Sequence, residues 1–314
     1  MPGFEATDRA SHRELTVEAD GVCLAGSLWL PRNEPLAVLL MHPGSGASDR
    51  DNDVFFPPIR EHLLAAGVGV SSFDKRGVGG SAGRWEDAAI VEQAGDLAAC
   101  LEALLADPAF DAPVGIYGHS QGGWVVVEAA GRGVPSAFVV TNSGPGVSPG
   151  EQERYAMRAY MSRAGIPPTQ LQEVGRYFDQ LVSLMRERVP FVNVQRRIGA
   201  SGFPKAFGEL GLPVLPERAE EWELMAALLD YDPRPALERI HVPVLALFGA
   251  EDTIVPVEAS VAVYEEAVRR ELLTIAVLGD GDHRLQTGDP PAFVDGYLDT
   301  LSSFIVSAVT PARV

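Results

Sequence analysis

The segment Pro113 to Trp124, Pro-Val-Gly-Ile-Tyr-Gly-His-Ser-Gln-Gly-Gly-Trp, constrains the fold of this chain more than any other. It runs from a short apolar strand, Val114 to Tyr117, directly into a helix, Gln121 to Ala130, with Ser120 at the corner. Gly118 and Gly122 lie two residues to either side, where the absence of a Cβ lets strand and helix pack close around a strained turn. A G-x-S-x-G string alone is weak, because a glycine-rich chain produces it by chance. Flanked by a strand and a helix, it reads as a corner that presents a nucleophilic hydroxyl, in preference to an ordinary surface-turn serine.

The rest of the chain supplies a sheet for that corner. Strands and helices alternate, which predicts an α/β architecture: a mostly parallel central sheet with helices on both faces. The start is the exception, because Leu15–Ala19 and Val22–Leu30 are separated by Asp20-Gly21, a hairpin signal that predicts an opening antiparallel pair. A strand over Leu36–Met41 follows, then a polar, glycine-rich loop from His42 to Asp53 and a helix through Ile59–Ala66 behind Pro57 and Pro58. Next come strand Val68–Phe73, helix Ala88–Leu105, the Ser120 corner and strand Ala137–Thr141.

From about Gly144 to Arg239 the rhythm breaks into charged helical text interrupted by proline, without a convincing strand. It resumes with strand Pro243–Phe248, a helix near Glu258–Arg270, strand Leu272–Leu278 and an amphipathic helix Ala292–Val309. The chain therefore divides into a core of residues 1–143 and 241–314 and a helical cap, 144–240, inserted between adjacent strands.

A serine hydroxyl needs a base within hydrogen-bond reach and a third group to orient that base. Asp252 follows one late strand, in Gly249-Ala-Glu-Asp-Thr-Ile-Val-Pro256, and His283 follows the next, in Gly279-Asp-Gly-Asp-His-Arg284. The order Ser120, Asp252, His283 is one that a parallel sheet uses when all three sit at the carboxyl ends of its strands. Glu251 is one residue out of phase, and Asp280 and Asp282 read as turn-shaping residues. The alternative place for the acid, after Thr141, holds Asn142 and Ser143, which favours Asp252.

The other histidines read as structural. His119, beside the serine, is expected to point away from the nucleophile's face, and His42 to tie the loop that follows it. No histidine pair has metal-ligand spacing, so neither a metal nor another cofactor is expected. For the developing oxyanion, the backbone amide of Gln121 at the helix start is one expected donor. Ser45, in His42-Pro-Gly-Ser-Gly-Ala47, supplies the other, with Gly44 as the register-shifted alternative; Pro43 has no N–H. Asp74 and Arg76 are expected to pair and pin a loop near the site, and Asp49-Arg50-Asp51 reads as a loop-fixing charge cluster.

The formal charge of −18 over 314 residues argues against nucleic acid and anionic membrane surfaces as partners. No apolar run approaches membrane-spanning length. Met1 to Glu14 lacks the pattern of a secretory signal, so the cytoplasm is the expected compartment, and Cys23 and Cys100 read as buried reduced thiols.

Four segments together carry a family resemblance: Gly44-Ser-Gly-Ala-Ser-Asp-Arg-Asp51, Asp74-Lys-Arg-Gly-Val-Gly-Gly-Ser81, Gly118-His-Ser-Gln-Gly-Gly123 and Gly249-Ala-Glu-Asp-Thr-Ile-Val-Pro256. The chain resembles a serine hydrolase of the α/β-hydrolase superfamily, in particular its esterase and serine-aminopeptidase-like branch. Pro43 departs from the glycine that many relatives have directly after the histidine, which bears on the oxyanion register. The resemblance implies cleavage of an ester or related acyl bond of a small-molecule acyl substrate through an acyl-enzyme, with Ser120, His283 and Asp252 as catalytic triad.

An acyltransferase or thioesterase acting on a carrier-bound or coenzyme A-bound acyl group is the alternative, a peptidase or amidase another, and a non-catalytic ligand receptor the last. Specificity is expected in the cap, where Tyr155, Met157, Tyr160, Met161, Tyr177, Phe178, Leu181 and Met185 fall at helical spacing. Such a stripe reads first as packing between cap and sheet, with a few members lining the substrate. Arg186, Arg188, Arg196 and Arg197 read as a solvated face, or as a handle for an acidic substrate.

Overall fold

A computed structural model describes residues 5–6, 10–200 and 215–310. Its main sheet contains β1 (Glu5–Ala6), β2 (Ala10–Ala19), β3 (Val22–Pro31), β4 (Ala37–His42), β5 (Val68–Phe73), β6 (Val114–His119), β7 (Val139–Asn142), β8 (Val244–Gly249) and β9 (Leu273–Leu278). They lie in the order β1-β2-β3-β5-β4-β6-β7-β8-β9. β2 and β3 form the antiparallel hairpin, and its turn residues Asp20 and Gly21 both have positive φ, 47° and 75°, as a primed two-residue turn requires. From β5 through β9 every pairing is parallel.

The central strands are apolar on both faces because helices cover both. Along β4, Val38 and Leu40 join one core cluster while Ala37, Leu39 and Met41 join the other. β8 divides in the same way, with Val244, Ala246 and Phe248 opposite Leu245 and Leu247. Helices α2 (Ile90–Leu105) and α3 (Gln121–Gly131) contribute to the first cluster, and α1 (Phe56–Ala65) with the C-terminal helix Tyr297–Val309 to the second. That last helix is shorter than expected. Ala292–Phe293 instead pairs with Gln286–Thr287 as a two-stranded ribbon, and Gly296 at φ 82° separates it from the helix.

Between β7 and β8 stand helices α4 (Pro149–Arg163), α5 (Pro168–Arg186), α6 (Phe191–Gly199) and α7 (Ala219–Leu228), and no strand is present there among the described residues. Ser148 opens α4 with a reciprocal capping box to Glu151, and Pro149 occupies the first turn. Met161, Tyr177, Met185, Ile198 and Trp222 form a cluster that belongs to these helices themselves, so much of the stripe packs within the cap and not onto the sheet; Tyr160 is exposed. The short helix Arg234–Leu237 departs from the expected boundary at 240, since Ala236, Leu237 and Ile240 belong to the core cluster that holds α3. Of the cysteines, Cys100 is buried but Cys23 is exposed, contrary to expectation. No described helix is long and apolar enough to cross a membrane.

Candidate active site

Ser120 sits between β6 and α3 with φ 55° and ψ −121°, a conformation that L residues adopt only when their surroundings enforce it. The enforcement is steric. A Cβ on Gly118 would collide with the carbonyl of Gly122, and one on Gly122 would lie 2.6 Å from the His42 oxygen. Strand, corner and helix can therefore approach only with glycine at both positions. The Ser120 N–H donates to the Asn142 carbonyl at 2.9 Å, which fixes the corner to β7.

Asp252 and His283 come from neighbouring strand ends. The loops after β8 and β9 meet so closely that Gly249 has room for no side chain against the backbone of Gly281 and Asp282. Asp252 is buried, and its Oδ2 accepts from His283 Nδ1 at 2.8 Å while Oδ1 accepts the N–H groups of Ile254 and Val255 at 2.8 and 2.9 Å. The other ring nitrogen of His283 is thereby left for a proton from elsewhere. Ser120 Oγ has no hydrogen-bond partner among the described residues, but it and His283 line the same cavity of about 750 Å³. Ser45 and Gln121 line that cavity too. Glu251 is exposed, and Asp282 Oδ1 accepts from the amides of Arg284 and Gln286, which makes it a turn former.

The loop after β4 settles near Ser120 through Asn52. Its Oδ1 accepts the Gly44 N–H at 3.2 Å and its Nδ2 donates to His119 Nδ1 at 2.9 Å. Gly44 is thereby engaged, whereas Ser45, like Gly46, Ala47 and Asp49 in the same loop, has an amide with no acceptor among the described residues, and of these Ser45 follows Gly44 directly. His119 does not point away, as expected, but forms part of the cavity wall, its ring 5.2 Å from that of His283. Its Nε2 donates to the His283 carbonyl at 3.4 Å, and burial together with the nearby His283 holds its pKa well below the ordinary histidine range. It is a neutral spacer.

Asp74 and Arg76 do not pair with each other. Asp74 receives a fork from Arg50, with Nε 3.1 Å from Oδ1 and Nη2 2.8 Å from Oδ2, and Arg76 makes two 2.7 Å contacts to Asp96 on α2. The two residues lie in the loop beyond β5, where each meets a different neighbouring element: Asp74 the loop after β4 that carries Arg50, and Arg76 helix α2 that carries Asp96. His42 likewise bonds to Gln93 of α2, at 3.1 Å, and not to its own loop. Arg186 pairs with Asp230 in solvent, and none of the four cap arginines lines the cavity. The cap wall comes from Phe178, Leu181, Val182 and Met185, and Trp124 from α3 reaches it as well. Among the described residues no cluster of His, Cys, Asp or Glu could hold a metal ion.

Sequence reading passed over Asn52, Gln93 and Lys75. Lys75 carries the one available signal: of 25 basic residues only Lys75 and Lys205 are lysine, so the chain departs from its own preference for arginine there.

The fold has many solved likenesses. DcsB, determined with its substrate analogue, has 20% identity and a TM-score of 0.64, over 96% of this chain and 100% of that one. The Pyrococcus furiosus esterase Pf2001 has 17% identity and a TM-score of 0.59, over 98% and 90%. The α/β hydrolase GrgF from Penicillium sp. sh18 has 17% and 0.62, over 95% and 97%. Among curated proteins none matches the sequence. Residues 20–284 match the X-Pro dipeptidyl-peptidase (S15) family, and with the α/β-hydrolase fold beneath that match, the chain belongs to this family of serine hydrolases.

Proposed function

We propose that the protein cleaves a carboxylic ester, or a related acyl bond, of a small molecule through an acyl-enzyme on Ser120. The support is one arrangement: a serine held at positive φ on the strand-to-helix corner, sharing a cavity with a histidine whose far nitrogen is fixed by a buried aspartate. Ser120 Oγ attacks the carbonyl carbon as His283 Nε2 takes its proton, and the Asp252 carboxylate stabilises the imidazolium. The amides of Gln121 and Ser45 receive the oxyanion. His283 then returns the proton to the leaving group, and water repeats the sequence to free the acid and regenerate Ser120. The missing Ser120–His283 hydrogen bond is compatible with this, because such contacts often close only around bound substrate.

The apolar cap wall over Ser120 favours an acyl group as the part it encloses, and the likeness to an esterase agrees with that. The family match supports a second reading, a peptidase acting on Xaa-Pro amides with the same residues. Fluorophosphonate labelling tests the nucleophile, and p-nitrophenyl esters beside Xaa-Pro p-nitroanilides separate the two readings. The wild-type protein should label at Ser120 and turn over esters faster than anilides, whereas Ser120→Ala should do neither. Faster anilide cleavage would select the peptidase, and an unlabelled wild type would remove both.

A further inference from the structure

We propose that Lys75 is a positioning residue that aims both oxyanion donors, by holding the carbonyl of the Gly44–Ser45 peptide and the side chain of Gln121 on one ammonium. The inference rests on the serine-hydrolase reading and extends it to a residue which that reading does not use. Lys75 follows β5 and is buried, 8% exposed. Its Nζ donates to the Gly44 carbonyl, to Gln121 Oε1 at 3.0 Å and to the Gly46 carbonyl at 3.4 Å.

The Gly44 oxygen and the Ser45 N–H belong to the same peptide unit, which is planar and trans, so they point in opposite directions. Fixing the oxygen on Lys75 therefore fixes the direction of the Ser45 N–H. Asn52 holds the preceding amide, that of Gly44, at 3.2 Å, and the Ser48 hydroxyl donates to the following carbonyl, that of Ser45, at 2.8 Å, so this peptide is secured from both neighbouring positions. The second donor, the Gln121 amide, belongs to the residue whose side chain takes another of the three ammonium protons. Gln93 contacts the same Gln121 oxygen at 3.5 Å, and it also bonds His42.

No carboxylate lies within ion-pair distance of Nζ among the described residues: Asp74 is taken by Arg50 and Asp96 by Arg76. A purely structural ammonium buried this deeply would be expected beside an acid, because desolvating a charge costs several kcal/mol. Here the charge faces peptide and amide oxygens only. An ammonium on the Gly44 carbonyl also polarises that peptide, strengthening its N–H as a donor at the other end. The choice of lysine fits three divergent neutral acceptors, which a planar guanidinium fork does not match.

The test uses Lys75→Met, Gln121→Met and the double variant on p-nitrophenyl butyrate, with phenylboronic acid as a mimic of the tetrahedral state. Lys75→Met should lower kcat about 10- to 100-fold with KM within about twofold, since a small misplacement of reacting groups costs up to roughly 100-fold. Boronate affinity should weaken in parallel, and the double variant should be no slower than Lys75→Met. A kcat within about threefold of wild type, or a loss confined to KM, overturns the proposal, as do multiplicative effects in the double variant. Should Lys75→Met fail to fold, Gln121→Met decides by itself: kcat should fall about 3- to 10-fold at constant KM, and an unchanged kcat overturns the assignment. Fluorophosphonate labelling of the wild type is run alongside. A labelled wild type with an unaffected Lys75→Met removes only the role of Lys75, whereas an unlabelled wild type removes the hydrolase reading itself.

Discussion

His283 Nδ1 and Asp252 Oδ2 lie 2.8 Å apart, and the second oxygen of that carboxylate is saturated by the backbone amides of Ile254 and Val255. Asp252 thus has no freedom to turn toward any other donor. It holds the histidine by one oxygen because the other is anchored to its own loop.

Replacing Asp252 with Asn should keep the fold and lose the reaction. The amide can mimic the shape of the carboxylate, but it leaves the imidazole without its acceptor and favours the wrong tautomer. We expect kcat to fall about 10³- to 10⁴-fold with little change in KM. Stopped-flow turnover of an activated ester and the rate of fluorophosphonate labelling should drop together; a loss in KM alone would contradict the assignment.

Arg76 and Asp96 make a different prediction, about stability. Both side chains are about nine-tenths buried, with 11% and 10% exposure, and burial raises the Asp96 pKa despite its bonds to Arg76. Arg76→Ala leaves that carboxylate without a partner and should cost about 3–5 kcal/mol of unfolding free energy. The paired change of Arg76 to Met and Asp96 to Leu should cost markedly less, because no charge is stranded. Urea titrations of the three proteins check this, and equal losses would show that the ion pair contributes more than desolvation arithmetic allows.

These cases show what a one-dimensional reading could reach. The mostly parallel sheet, the hairpin at Asp20-Gly21 and the corner at Ser120 were legible because each depends on local spacing: alternation, a turn dipeptide, two glycines around a serine. The pairing of Asp252 with His283 was legible because both positions follow from the ends of strands already recognised. Partners were not legible in the same way. Asp74 and Arg76 are two residues apart in sequence yet face Arg50 and Asp96, and only tertiary packing decides between such pairings. His119 was misdirected for the same reason, since the loop carrying Asn52 draws its ring into the cavity wall.

Lys75 predicts opposite pH responses for stability and for rate. Burial lowers its pKa to about 7, whereas in the unfolded chain it returns to about 10.4. Between those values the unfolded state holds the proton that the folded state has released, so unfolding free energy rises with pH. The destabilising contribution is complete below about pH 7 and fades toward pH 10, with a slope approaching about 1.4 kcal/mol per pH unit in between. The neighbouring charges do not alter the sign: Asp74 and Arg76 are engaged with Arg50 and Asp96, and His42, held to about 3 by burial and by Lys75 itself, is neutral throughout. Over the same interval kcat should decline as the ammonium is lost. Denaturant unfolding and kcat profiles of wild type and Lys75→Met check both limbs, each of which should vanish in the variant; a persisting alkaline fall in rate would assign it to another group.

The cap sets the final expectation, on substrate length. Phe178, Leu181, Val182 and Met185 on α5 form an apolar wall over Ser120 in a cavity of about 750 Å³. An acyl chain growing along that wall gains about 0.8 kcal/mol per methylene buried, close to fourfold in kcat/KM for each carbon. Leu181→Trp puts an indole where such a chain would run. The wild type should therefore show rising kcat/KM from acetate toward longer p-nitrophenyl esters, and the variant should lose that rise, with the longest esters falling most. A uniform fall across the series would indicate a general disturbance of the cap, and an unchanged slope would mean that the acyl chain leaves the site along another wall. Because Leu181 lies on α5 while Ser120, Asp252 and His283 stand at the ends of the sheet strands, the slope reports on specificity separately from the chemistry proposed for those three residues.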